Sequence, residues 1–281
     1  MKYFLALLMT LLSAAAVVKG QEQTVQPDRK ETAAPLREEP VAAVERGGFD
    51  LFEAARRVAS DEEAKRTREQ SDAVRNVRRE GFRWKAAVEQ SLLFLGVQHG
   101  YALTQPKTRR ALHGAFLRDY VASVKSLGGW DDGGRFFTNY VAHPMQGSLI
   151  GFVQIQNDPR GMHRRFGSSG DYWRSRLKAL AWSAAWSTQF EIGPVSQASI
   201  GNVGNYGKQT YVDLVVTPTV GLGLIVAEDA LDRHVIERIE HASGGCPLKI
   251  ASRMLLNPTR SVANLLRLKK PWHRDAGLRL P

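Results

Sequence analysis

Three polar residues stand out because the segments around them are apolar: His143, Glu191 and Asp213. An imidazole is the usual proton acceptor near neutral pH, and a desolvated carboxyl is a usual partner. His143 precedes Pro144 in NYVAHPMQGS, next to Asn139 and Tyr140. Ser183, Ser187 and Glu191 recur every four residues, so on a helix they form one stripe, with Trp182, Trp186 and Phe190 on the adjacent one. A carboxyl at the end of such a groove loses water and needs a cation or a donor. The chemistry read from the three is proton transfer: His143 as base, Glu191 as acid or orienting carboxylate, Asp213 as orienter or metal ligand. Ser187, Trp186 and Thr217 are the candidate ligand-binding positions on the same faces. The plainer reading is a satisfied core histidine and carboxylates bonded to neighbouring helix ends. No metal site is assigned, and the sequence indicates no particular cofactor.

On the following segment, Asp213, Thr217, Gly221 and Glu228 fall within a band of about 80° on one helix face. Asp213 and Glu228 are nevertheless roughly 22 Å apart along a straight helix, too far to share a proton. Glu228 and Asp229 precede Asp232-Arg233-His234 and read as a salt-bridged or solvated end. His99, also inside an apolar run, is a second candidate histidine. HExxH, paired CxxC, GxSxG and GxxxxGK[ST] signatures are absent. Asp131-Asp132, in a glycine-rich loop, is at most a faint calcium signal.

The elements that must hold these residues are mainly α: a compact helical bundle of apolar and amphipathic helices, membrane-associated. Residues 84–103 and 109–127 read as helices, the second capped by Thr108. Pro144 suits a first helical turn. Gly147 and Gly151, four apart, let another backbone come close. Asp171 is the expected cap of the Trp182/Trp186 helix, and Asn257-Pro258 opens a last one. The β-branched run 211–220 leaves a strand as the alternative there.

The chain has 281 residues, 43% hydrophobic and 24% charged, an ordinary globular composition. Residues 1–20, with Lys2 and an apolar run ending in small residues, read as a secretory signal peptide, the alternative being an uncleaved anchor. Residues 21–48 read as a disordered linker, 49–80 as a charged helical spacer and 81–281 as the helical domain. The single Cys246 excludes an internal disulfide. The longest nearly clean apolar run after the signal, 214–227, is short for a membrane span. The net charge is +11, and Asp275 is the only acid after Ala242. Arg253, Arg260, Arg267 and Arg274 recur every seven residues there. On an exported chain this basic segment points to an anionic lipid or membrane surface rather than to nucleic acid, with a protein partner as the other option.

Asn139–Ser148, Trp186–Gly193 and Asp213–Asp229 together resemble a bacterial envelope-protein family of unknown function. That pattern is HisPro-x-x-GlySer, Trp…Glu, then Asp…ThrPro…Gly…Glu, over roughly residues 135–240. The order His, Glu, Asp also resembles VanZ-like membrane proteins, although the Gln and Asn those carry near the Glu and Asp are not matched in place. The resemblance implies a helical scaffold in the periplasm or at the envelope membrane and no particular activity. The leading expectation is a non-enzymatic envelope protein that binds lipid or a protein partner. The alternative is a hydrolase or transferase on lipid or cell-wall substrates, for which the three polar residues must meet in space.

Overall fold

The computed structural model describes residues 44–130, 136–200, 211–242 and 246–275. The expected signal peptide, the linker as far as residue 43 and the Asp131-Asp132 loop lie outside them. The described residues are mainly helical and contain no strand, so the strand alternative for 211–220 is ruled out. Residues 44–79 and residues 80–275 are separate compact units.

The first unit is one helix, α1 (Val44–Arg79). It starts inside the expected linker rather than at residue 49. Its described side chains are solvated, and pairs such as Glu53–Arg57 and Glu62–Arg66 lie one turn apart on its surface. Each such pair is worth only about 0.3–0.5 kcal/mol.

The second unit contains α2 (Trp84–Thr104), α3 (Pro106–Ala111), α4 (Phe116–Lys125), α5 (His143–Asn157), α6 (Pro159–Met162), α7 (Gly170–Ile192), α8 (Tyr211–Leu231), α9 (Glu237–Ala242), α10 (Cys246–Leu256) and α11 (Pro258–Leu266). The helix expected over 109–127 is broken: α3 ends before His113-Gly114, and Leu112 and Phe116 stay exposed. Thr108 lies inside α3 instead of capping it.

Helix α5 is the axis of the bundle. It packs against α7 and α8, with α11 and α2 alongside. Every residue from Gly147 to Asn157 is buried. Leu149, Ile150, Phe152, Val153 and Ile155 join Phe94, Leu95, Trp186, Phe190 and Ile225 in one core. Each such side chain contributes roughly 1.5–3 kcal/mol on leaving water. The polar groups on this buried helix need partners, and several have them. Ser148 bonds Thr259 at 2.7 Å, Gln156 donates to Asn264 at 3.1 Å and Asn157 donates to Gln90 at 2.9 Å.

Glycines bring α5 and α8 together. A Cβ on Gly147 would stand 2.0 Å from the Thr217 carbonyl oxygen, and one on Gly221 would stand 2.9 Å from the Ser148 nitrogen. The tight approach coincides with Pro218, which cannot donate to the preceding turn. At the head of α5, Pro144 has a related effect. The turn before it, Thr138–Ala142, is π-helical, and the His143 amide reaches back to the Thr138 carbonyl.

The cap of α7 is Ser169, whose hydroxyl accepts from the Tyr172 amide at 3.3 Å, while the expected cap Asp171 sits in the first turn. The continuous helix Tyr211–Ala242 is the one helix among the described residues long and apolar enough to cross a membrane. A third of its most apolar stretch is buried in the bundle.

Candidate functional site

His143 opens α5, Glu191 closes α7 and Asp213 lies in the first turn of α8. The packing of these three helices brings the three side chains to one end of the bundle. One ligand atom from each lies within 4.8 Å of the other two. His143 Nε2 is 3.6 Å from Asp213 Oδ1, with the two side chains 11% and 14% exposed. Glu191 is 3% exposed. The group is therefore nearly buried yet still open to solvent on the histidine and aspartate side.

Each backbone is held in place. The end of α7 is closed by the following loop, where the Gln197 and Ala198 amides donate to the carbonyls of Phe190 and Glu191 at 2.8 and 3.1 Å. These satisfy two of the carbonyls that a helix end leaves open. Ser196 and Ser199 tie that loop to itself. From outside, Tyr120 donates to the Ile192 carbonyl at 2.9 Å. His99 Nε2 bonds the Val195 carbonyl at 3.1 Å and its ring stacks on Phe190. His99 is thus a clamp on the loop behind Glu191.

The other expected positions fall into different roles. Ser187 donates to the backbone carbonyl of Asp213 at 3.0 Å, fastening the first turn of α8 to α7. Trp186 is in the core, stacked between Phe94 and Phe190. Thr217 is buried one turn below Asp213, and its hydroxyl and that of Ser183 have no partner among the described residues. A polar seam thus runs from the cluster into the α5–α8 crossing.

The chain matches no family model, no curated protein and no solved structure. What the site can do rests on its own chemistry. One imidazole and two carboxylates are a proton-transfer set, and they are equally a donor set for a divalent cation.

Glu228 and Asp229 belong to the opposite end of the bundle. Glu228 accepts from the Thr259 amide at 2.9 Å, the Thr259 hydroxyl at 2.6 Å and the Arg260 amide at 3.1 Å. It caps α11, a role expected of Asn257, whose side chain donates to Asp232 instead. Asp229 is buried between Arg176 and Arg260. This end is salt-bridged but not solvated: Glu228 is 5% exposed and Asp229 4%. Burial alone would raise the Asp232 carboxyl, but Arg260 and Arg274 outweigh it and hold it below its usual value. Arg176 had no sequence signal beyond a charge on the buried stripe of α7. The arginines spaced by seven did carry one.

Proposed function

We propose that this chain is an envelope hydrolase or transferase acting on a lipid or cell-wall substrate through His143, Glu191 and Asp213. The observation that carries this reading is the meeting of three polar residues from three helices, with ligand atoms within 4.8 Å of one another. Burying an imidazole and two carboxylates together costs stability, and such clusters are frequent at functional sites. In this reading Asp213 orients the imidazole and His143 takes a proton from water or a hydroxyl as its oxygen attacks the substrate. Glu191, protonated at the start, gives its own proton to the leaving oxygen, and the proton held by His143 passes back to Glu191 to reset the site.

The choice of substrate rests on features of the chain that suit the envelope. The N-terminal run has signal-peptide character, and one helix among the described residues is long and apolar enough for a membrane. Leu92, Leu93 and Val97 of α2 and Leu117 of α4 stay exposed, as on a surface that meets lipid. An anionic lipid surface remains the proposed partner, with no role for nucleic acid.

A second reading follows from the same donor set: the three residues hold a divalent cation that activates the water. The deciding experiment presents the full-length chain with phospholipids, prenyl phosphates and peptidoglycan fragments. Turnover is expected, and His143→Gln, Glu191→Gln and Asp213→Asn should each lower it about 100-fold or more. Loss of turnover with a chelator and its return with zinc or manganese would select the cation. Variants that turn over substrate like the parent would refute a site here. Vesicle binding without any turnover would favour the non-enzymatic lipid-binding expectation.

A further inference from the structure

A cavity of about 290 Å³ opens at the end of the bundle away from His143. Its walls are the C-terminal half of α5, the 163–166 loop, the turn after α8, α10 and α11, and residues 273–275. Arg165, Arg176, Arg233, Arg253, Arg260 and Arg274 all line it. Three of the four arginines that recur every seven residues in sequence, Arg253, Arg260 and Arg274, thus meet here across the breaks at Pro258 and Pro271.

The charges do not balance. Asp229 is shared by Arg176 and Arg260, and Asp232 by Arg260 and Arg274. Glu240 pairs with Arg253, and Glu237 with Arg165. Arg233 donates to the Phe166 carbonyl, and no carboxylate among the described residues forms an ion pair with it. Asp275, also on the wall, is taken by Arg267 and Lys269. Seven guanidiniums and five carboxylates line the recess. With Arg164 taken by Asp171, and Asp275 by Arg267 and Lys269, six guanidiniums face four carboxylates. Burial and the neighbouring Arg260 push the Arg274 guanidinium down to about 10, against the pull of Asp232.

We propose that this cavity binds a phosphate-bearing anion. A surplus of two positive charges matches the charge of about −1.5 to −2 on a phosphate monoester at neutral pH. Guanidinium forks fit phosphate oxygens in pairs, which a lysine cluster does not. The volume exceeds that of a phosphate group and leaves room for a small organic part, so both a soluble phosphate ester and a phospholipid headgroup fit. Helix α8 separates this recess from Asp213, and the proposal stands independently of catalysis at His143.

The test is calorimetric titration of the full-length chain with inorganic phosphate, glycerol 3-phosphate, and vesicles of phosphatidic acid or of phosphatidylcholine. Arg233→Gln and Arg165→Gln are the variants, since both residues lie at the mouth and neither belongs to the buried Arg176–Asp229 pair. Arg118→Gln, on the surface of α4, is the control. Glycerol 3-phosphate binding that weakens 10-fold or more in Arg233→Gln, with the control unchanged, supports a soluble ligand. Binding to phosphatidic acid alone, with the same loss and none to phosphatidylcholine, supports a headgroup. No binding to any probe, or binding that both variants leave intact, overturns the proposal and makes the arginines a structural network only.

Discussion

Gly147 and Thr217 are so close that a single Cβ on the glycine would lie 2.0 Å from the threonine carbonyl oxygen. No side-chain rotation relieves a clash with backbone, so α5 and α8 would have to separate. Their crossing is also what brings His143 toward Asp213. Packing and chemistry are therefore tied at one residue.

Gly147→Ala is expected to destabilise the protein by about 1–3 kcal/mol or more, the range for overpacking a tight interior. Gly223 lies on the same pair's outer side, where nothing stands within 4 Å of a Cβ. Gly223→Ala should be neutral or add up to about 1 kcal/mol through helix propensity. Thermal unfolding of the two variants checks the contrast, and equal effects would contradict it.

Arg176 and Asp229 form an ion pair with side chains 2% and 3% exposed. Removing one partner strands a charge in the interior, at a cost of about 3–5 kcal/mol. Asp229→Asn, which strands Arg176, should approach this figure, whereas Arg176→Met leaves Asp229 paired with Arg260 and should cost less. The double variant should lose less than the sum, because neither charge is then left alone. A denaturant-based double-mutant cycle measures the coupling, and strict additivity would mean the pair is not a unit.

Glu228 satisfies two amides at the start of α11, and Asn257 satisfies none there. Glu228→Ala should cost on the order of 2–3 kcal/mol, since buried donors lose their acceptor. Asn257→Ala removes only the bond to Asp232 and should cost less. Chemical denaturation ranks the two, and the reverse order would assign the cap to Asn257.

The pH response follows from His99. Burial lowers it from 6.5, and its bond to the Val195 carbonyl offsets this only in part. The unfolded chain therefore takes up a proton at a higher pH than the folded one. Stability is complete above 6.5 and falls as pH drops through the interval down to the folded value. His163, lowered chiefly by burial, acts in the same direction. Asp275 extends the loss to lower pH. Burial works against its charge, but Lys269 and Arg267 hold it well below the carboxylate range. In melts across this interval, His99→Gln should have a shallower acid slope than the parent, and an unchanged slope would remove His99 as the cause.

Local pattern carried much of this architecture. Gly147 and Gly151 marked the close crossing because a missing side chain is a steric fact that needs no partner's identity. The stripes on α7 and α8 singled out Glu191 and Asp213 because helical periodicity sorts residues onto faces. Three things were hidden. The break at His113-Gly114 interrupts a face that looked continuous on paper. The cap of α11 comes from Glu228, thirty residues upstream, and no local rule for caps looks that far. The inward turn of Arg253 and Arg260 depends on Glu240 of α9 and on Asp232 in the turn after α8, acids that the spacing of the arginines does not reveal. Short-range sterics are written locally, whereas charge pairing across a bundle is written only in its topology.

The widened turn over Thr138–Ala142 holds one residue more than an α-helical turn would. A helix advances about 100° per residue, so this surplus residue decides which way everything before it points relative to α5. Loss of one residue from the turn would leave a sound helix and every chemical group intact, yet swing the preceding Asn139 and Tyr140 around the axis by more than a quarter circle. The surroundings of the histidine are thus a matter of phase as well as composition, and a length change there can rewire the site without altering any of its three polar residues.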